Sequence, residues 1–238
     1  MFERAHHQRI AQVLLALNGP LLHAHRCLFG GGTAIALRHG EYRESVDLDF
    51  LVSDRDGYRH LRELLTSAGG IANVARDGAV LKQTRELRAD QYGIRTALGV
   101  DGHDIKFEVL LEGRIELAPP GRSDVVCGVA TLTPTDLVAS KLLANADRWP
   151  DDGAFSRDLI DLAMMAPTLA LLRTAIAKAE QAYGSAVLDD LGKAIEQLKT
   201  RDSRLERCMQ AMAIQLPKAV LWQRIRALER VLPKSRIG

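Results

Sequence analysis

The hydrophobic period of this chain changes once, and that change limits what it can fold into. Up to Pro119-Pro120-Gly121, short β-rich runs alternate with helical stretches. After one further strand-like run, Asp124 to Thr131, the pattern is helical throughout. The expectation is an α+β protein: a mixed-sheet domain over residues 1–131, then a helical domain over 132–238. With 47% hydrophobic and 26% charged residues, the composition excludes disordered, collagenous and coiled-coil chains. Lys and Arg total 32 against 30 Asp and Glu, a net charge of +2. That balance gives no global argument for nucleic acid or acidic membranes, so any basic surface must be local. The three cysteines, Cys27, Cys127 and Cys208, lie far apart without metal-type spacing, which suits a reducing cytoplasm. The start of the chain is polar, unlike a signal peptide, and no apolar run approaches the roughly 20 residues of a membrane helix. A cytoplasmic protein without a membrane partner is expected.

In the first half, the pattern predicts a helix over His6 to Leu17, stopped at Asn18-Gly19-Pro20. Cys27-Leu28-Phe29 is a short apolar run, followed by Gly30-Gly31-Gly32 and a helix over Thr33 to His39 with Thr33 as its cap. Val46 to Val52 alternates as a strand, with Val46, Leu48, Phe50 and Val52 on one face and Asp47 and Asp49 on the other. Gly57 to Ala68 reads as a helix. Two hairpins are expected, one turning at Asp77-Gly78 and one at Asp101-Gly102. The second half opens on Thr133-Pro134-Thr135-Asp136, a strong helix start. That helix reaches Arg148, and others follow over Ser156 to Met165, Thr168 to Tyr183, Ser185 to Leu198, Ser203 to Ala213 and Lys218 to Val231.

The strongest chemical signal is Asp47-Leu48-Asp49. Strand geometry puts both carboxylates on one face, with Cα atoms roughly 6–7 Å apart. Paired acids of this kind suit divalent cations that prefer oxygen ligands; the same pattern also fits a solvated strand face. Upstream, Phe29-Gly30-Gly31-Gly32-Thr33 reads as strand, glycine turn and helix start, where backbone N–H groups can approach a phosphate. It is neither a Walker A loop nor a dinucleotide fingerprint. On the strand Ile105 to Leu111, Lys106 and Glu108 share the polar face. If that strand pairs with the Asp47/Asp49 strand, Glu108 completes a set of three acids. Two metals about 4 Å apart would then clamp an in-line phosphoryl displacement. His6-His7 and His23-x-His25 lack diagnostic metal spacing, and Cys27 reads as core. Arg224, Arg226 and Arg230, with Lys218 and Lys234, form a basic stretch that fits a solvated face or an RNA-binding one.

The segments Gly30-Gly31-Gly32-Thr33-Ala34-Ile35-Ala36-Leu37-Arg38-His39-Gly40 and Arg43-Glu44-Ser45-Val46-Asp47-Leu48-Asp49-Phe50 together resemble the first motif of the AbiEii/AbiGii nucleotidyltransferase toxins, members of the DNA polymerase β-like superfamily. Lys141 and Arg148, then Arg157-Asp158-Leu159-Ile160-Asp161-Leu162, resemble the later motifs. The resemblance implies transfer of a nucleoside monophosphate from NTP to an acceptor, with RNA or tRNA the expected acceptor and a cognate antitoxin the expected protein partner. It implies Mg2+ on Asp47, Asp49 and Glu108, where the superfamily often has Asp in the third place. Gly31, Gly32 and Ser45 would hold the triphosphate, Lys141 would contact nucleotide phosphates, and Asp158 would belong to the catalytic site in the helical half. A non-catalytic NTP-binding regulator, or transfer to a small molecule, are the alternatives. Helical geometry puts Lys141 and Arg148 together, opposite the apolar face of Val138, Ala139, Leu142, Leu143 and Ala146. Arg157, Asp158 and Asp161 form a polar stripe on the next helix. Such stripes suit a cleft facing the strand acids, or two ordinary solvated faces.

Overall fold

The computed structural model describes residues 2–233, so Lys234 of the basic stretch lies outside the described residues. The chain forms two compact units: Met1–Glu41 with Ser45–Thr133, and Tyr42–Glu44 with Pro134–Gly238.

The first unit is built on a mixed sheet. Its strands are β1 (Leu28–Phe29), β2 (Leu48–Val52), β3 (Arg88–Ala89), β4 (Gly93–Val100) and β5 (His103–Leu111), ordered β1-β2-β5-β4-β3. Only β2 and β5 run parallel; the other pairs are antiparallel. The alternation in β2 is what places the site. Leu48, Phe50 and Val52 are fully buried, while Asp49 and Leu51 between them, and Asp47 just before the strand, are half-buried. Phe50 stacks between Phe29 and Phe107, with ring centroids 5.5 and 5.3 Å away. Each such ring contributes roughly 1.5–3 kcal/mol by leaving water, and together they hold the polar edge of β2 outward. The turn at Asp101-Gly102 has φ of +50° and +78°, as a tight two-residue hairpin requires. Helices α1 (Ala5–Ala16), α3 (Gly31–Arg38) and α4 (Arg55–Thr66) complete this unit, with Ile10, Val13 and Leu14 of α1 in its core.

Several local expectations need correction. Helix α1 does stop before Asn18-Gly19-Pro20, but that segment also starts a short helix, α2 (Gly19–Ala24), because the Asn18 side chain accepts from Leu21 N at 3.1 Å and proline fits the first turn. Thr33 does not cap α3; Gly30 and Gly31 open that helix and Thr33 lies inside it. Val46, 48% exposed, and the half-buried Asp47 both precede the strand, which begins at Leu48. The hairpin expected around Asp77-Gly78 does not form. Gly70–Val74 is a 3-10 turn that buries Ile71 and Val74, and residues 82–84 pair instead with the edge of β4 that the short β3 leaves open. Asp124 to Thr131 folds back at Cys127 and Gly128, both at positive φ, into the ribbon β6 (Val125–Val126) and β7 (Val129–Ala130).

The second unit contains α5 (Pro134–Arg148), α6 (Arg157–Met165), α7 (Leu169–Tyr183), α8 (Ala186–Thr200), α9 (Arg204–Ala211) and α10 (Lys218–Arg226). Helix α5 is its centre and packs on α6, α7 and α8. Because it is surrounded, Leu137, Lys141 and Asn145 are buried along with its apolar face, so the Lys141 side is not solvated. Among the described residues, no helix is long and apolar enough to cross a membrane.

Candidate active site

The glycine turn and the acid-bearing strand meet in the first unit. Gly30 N donates to the Asp49 carbonyl at 2.8 Å, which fixes the turn against β2. Gly31 has φ +65°, and a Cβ there would lie 2.3 Å from Asp49 Oδ2. The glycine is therefore needed twice: for its left-handed conformation and for the close approach of the Asp49 carboxylate. Gly31→Ala is expected to cost about 1–2 kcal/mol from backbone conformation alone. Because the methyl must also push Asp49 aside, NTP turnover should fall by at least about tenfold. Urea unfolding and steady-state turnover measure the two effects, and unchanged turnover would show that this packing is dispensable.

The parallel pairing of β2 and β5 sets Asp49 directly beside Glu108. Glu108 is nearly buried and is neutralised on both sides. Its carboxylate meets Lys106 Nζ at 2.5 Å and Arg95 Nε at 3.2 Å, and Arg95 also reaches Asp90 at 3.2 Å. Burial tends to lower the Lys106 pKa, but the hydrogen bond and charge of Glu108, with the charges of Asp47 and Asp49, raise it overall. All three acids thus act on one cation. Among the described residues, no group of three or more His, Cys, Asp or Glu side chains is gathered to hold a metal ion. The donor chemistry nevertheless fits a hard divalent ion. The acids offer only carboxylate oxygens, and they already stabilise an ammonium beside them.

Gly32 follows in the first turn of α3 and is buried. Ser45, also buried, accepts from Thr33 Oγ1 at 2.9 Å, so the residue leading into Asp47 is tied to the helix after the glycine turn.

The other sequence candidates lie in the second unit, where they form one buried ion cluster. Lys141 Nζ sits 2.8 Å from Asp158 Oδ1 and 2.8 Å from Asp161 Oδ2. Arg148 forms a two-point contact with Asp158, at 2.6 and 2.9 Å. Arg43 does the same with Asp161, at 2.7 and 3.0 Å, and the Tyr42 hydroxyl donates to Asp161 at 2.5 Å. Burial would raise both aspartate pKa values. The charges of Lys141 and Arg148 hold Asp158 well below the usual range, and those of Arg43 and Lys141 do so for Asp161. Burial would likewise lower Lys141, but the two aspartates raise it. Burial and Asp161 together push the Tyr42 phenol well up, so it stays a neutral donor. Three cations face two carboxylates, leaving one surplus positive charge, with Arg148 its most exposed member. Arg157, the basic residue of the α6 stripe, is exposed.

Tyr42 and Arg43 are members of this cluster that sequence reasoning missed. Arg43 stands just before Ser45 in the first motif, but nothing local to it names a partner on α6. In the basic stretch, Lys218 pairs with Glu206, Arg224 contacts Met164 Sδ at 3.4 Å and Arg230 donates to the Pro167 carbonyl, while Arg226 is exposed.

Solved structures share the fold. JHP933 from Helicobacter pylori shares the fold with a TM-score of 0.56 at 15% identity, over 99% of this chain and 96% of that one. A second H. pylori protein, described as a candidate nucleotidyltransferase, gives a TM-score of 0.50 at 15% identity, over 95% and 94% of the two chains. No curated protein matches the sequence. Residues 13–230 match the family described as the nucleotidyl transferase AbiEii toxin of type IV toxin–antitoxin systems. With the match running from α1 to the last described turns, and with the glycine turn packed on Asp49, the chain belongs to the AbiEii nucleotidyltransferase toxin family.

Proposed function

We propose that this protein is a Mg2+-dependent transferase that moves a nucleoside monophosphate from NTP to an RNA hydroxyl, with tRNA the foremost acceptor, and releases pyrophosphate. A cognate antitoxin restrains it. The observation that carries this reading is the packing of Gly31 on the Asp49 carboxylate, with Glu108 beside it across β5. In this reading the first unit is the nucleotidyltransferase domain and the second is its helical partner.

Asp47, Asp49 and Glu108 are the residues that would hold Mg2+, which supplies positive charge to the triphosphate and to the attacking oxygen. Gly31, Gly32 and Ser45 bind the triphosphate through backbone N–H groups and the serine hydroxyl. Glu108, which Lys106 and Arg95 hold, would assist removal of the acceptor proton in this reading. Lys141, expected from the sequence to contact phosphates, is instead buried between Asp158 and Asp161 and serves the ion cluster of the second unit, where Arg148 is the more exposed cation.

Incubating the protein with each labelled NTP, Mg2+ and total bacterial RNA tests the reading. A labelled RNA band identifies nucleotide and acceptor class together. NTP binding without label transfer, over RNA and small-molecule acceptors alike, would instead make this a non-catalytic regulator. Expression should also arrest bacterial growth, and Asp49→Ala should abolish the arrest.

A further inference from the structure

Helix α1 carries a buried histidine that none of the site residues above explains. His7 is fully buried, and both ring nitrogens are engaged. Nδ1 lies 2.8 Å from Glu41 Oε1, and Ser45 N donates to Nε2 at 3.2 Å. A backbone amide can only donate, so Nε2 must be the bare nitrogen and Nδ1 must carry the proton. Glu41 is itself fixed: its carboxylate accepts from Glu3 N at 2.7 Å and Arg4 N at 3.1 Å, and its carbonyl accepts from Arg4 Nε at 2.9 Å. Glu41 also holds φ of +50°, which a non-glycine residue keeps only when its surroundings enforce it. Next to this, the His6 ring lies 3.1 Å from the Val46 carbonyl through Nε2.

These contacts form one chain of hydrogen bonds, Glu41 to His7 to Ser45 to Thr33. It runs from the start of α1 to Thr33 in the glycine-turn helix and passes through Ser45, two residues before Asp47. Among the described residues, the Ser45 hydroxyl accepts from Thr33 and donates to no protein group. Its proton is thus left over for a bound oxyanion.

We infer that His7, with its tautomer set by Glu41, is a positioning residue for nucleotide binding: it fixes the Ser45 backbone so that the Ser45 hydroxyl donates to an NTP phosphate oxygen. The inference rests on the nucleotidyltransferase reading above. It adds a residue outside the family-like motifs, and gives the α1 N-terminal turn a role in substrate affinity. The ring faces Glu41, Arg4 and His6 as its charged or titratable neighbours. Burial depresses the His7 pKa, and Arg4 and His6 add to that, against the opposing effect of Glu41. The neutral ring is therefore the native form. Acidification through the depressed pKa puts a second proton on the ring and turns the Ser45 acceptor into a donor.

The test compares two substitutions at His7 in the full chain. His7→Gln offers an amide oxygen near the place of Nε2 and keeps an acceptor for Ser45 N. His7→Asn is too short to do so but still donates toward Glu41. Losing one hydrogen bond of this kind is expected to raise the KM for NTP about tenfold in His7→Asn, with kcat changed far less. His7→Gln should stay near wild type, and its KM should not rise on acidification as that of wild type does. Thermal unfolding confirms that both variants are folded. Wild-type KM in a folded His7→Asn protein overturns the inference while leaving the transferase reading intact. Absence of transfer by wild type overturns that reading. The 15N shifts of the imidazole, taken without nucleotide, judge the hydrogen-bond chain separately: an Nδ1–H ring supports it, and an Nε2–H ring overturns it.

Discussion

Replacing Asp49 by asparagine is expected to lower NTP turnover about a thousandfold, the upper range for removing one preorganised electrostatic group. The reason lies in the alternation of β2. Leu48 and Phe50 anchor the strand in the core, so Asp49 sits on the polar edge with its carboxylate against Gly31 and its backbone paired beside Glu108. Asparagine keeps that shape and removes only the charge. Thermal unfolding should therefore stay within a few degrees of wild type, because surface-type changes of this sort are usually worth about 0.5 kcal/mol. Turnover and unfolding measured on the same preparation separate the two effects. A loss of activity matched by a loss of folding would assign Asp49 a structural role instead.

Asp161→Asn should have the largest effect on stability. Asp161 is fully buried and its two oxygens serve Lys141, Arg43 and Tyr42. Removing one partner of a buried ion cluster leaves uncompensated charge, at a cost of about 3–5 kcal/mol. Urea unfolding of the two proteins measures it, and a loss below about 1 kcal/mol would contradict the account of the cluster. The same cluster sets an acid limit. Asp158 and Asp161 have folded pKa values depressed below the ordinary range, against the pull of burial, by Lys141, Arg148 and Arg43. Groups of that kind stabilise fully above the unfolded carboxyl pKa of about 4, and the contribution disappears as pH falls toward the depressed values. Wild type should therefore lose stability steeply below about pH 4, and Asp161→Asn should show a shallower acid slope.

The sequence is most informative where chemistry and period coincide. The same alternation that buries Leu48, Phe50 and Val52 in β2 leaves Asp49, and Asp47 just before the strand, half-buried, so one pattern reports both the strand and the acids. The polar face of each strand is legible, but that the two pair, in parallel and with Glu108 beside Asp49, is a property of the folded sheet. Lys141 shows the opposite case. Helical period assigns it to a polar stripe, yet α5 is surrounded by other helices and buries that stripe as an ion cluster. The failed hairpin at Asp77-Gly78 has a similar cause: a turn signal is local, whereas residues 82–84 respond to the open edge of β4. His7 carries no sequence signal at all, because its partners Glu41 and Ser45 come from a distant loop. The net charge of +2 likewise averages over an acidic edge on β2 and a surplus-positive cluster on α5 and α6.

The measurement that bears most directly on this account is the stoichiometry of the reaction. Purified protein is incubated with labelled NTP, Mg2+ and tRNA, and pyrophosphate release is counted against label gained by the RNA. The account predicts one pyrophosphate per nucleotide transferred by wild type, and no detectable transfer by the Asp47→Asn/Asp49→Asn protein. Equal transfer by both proteins would contradict it.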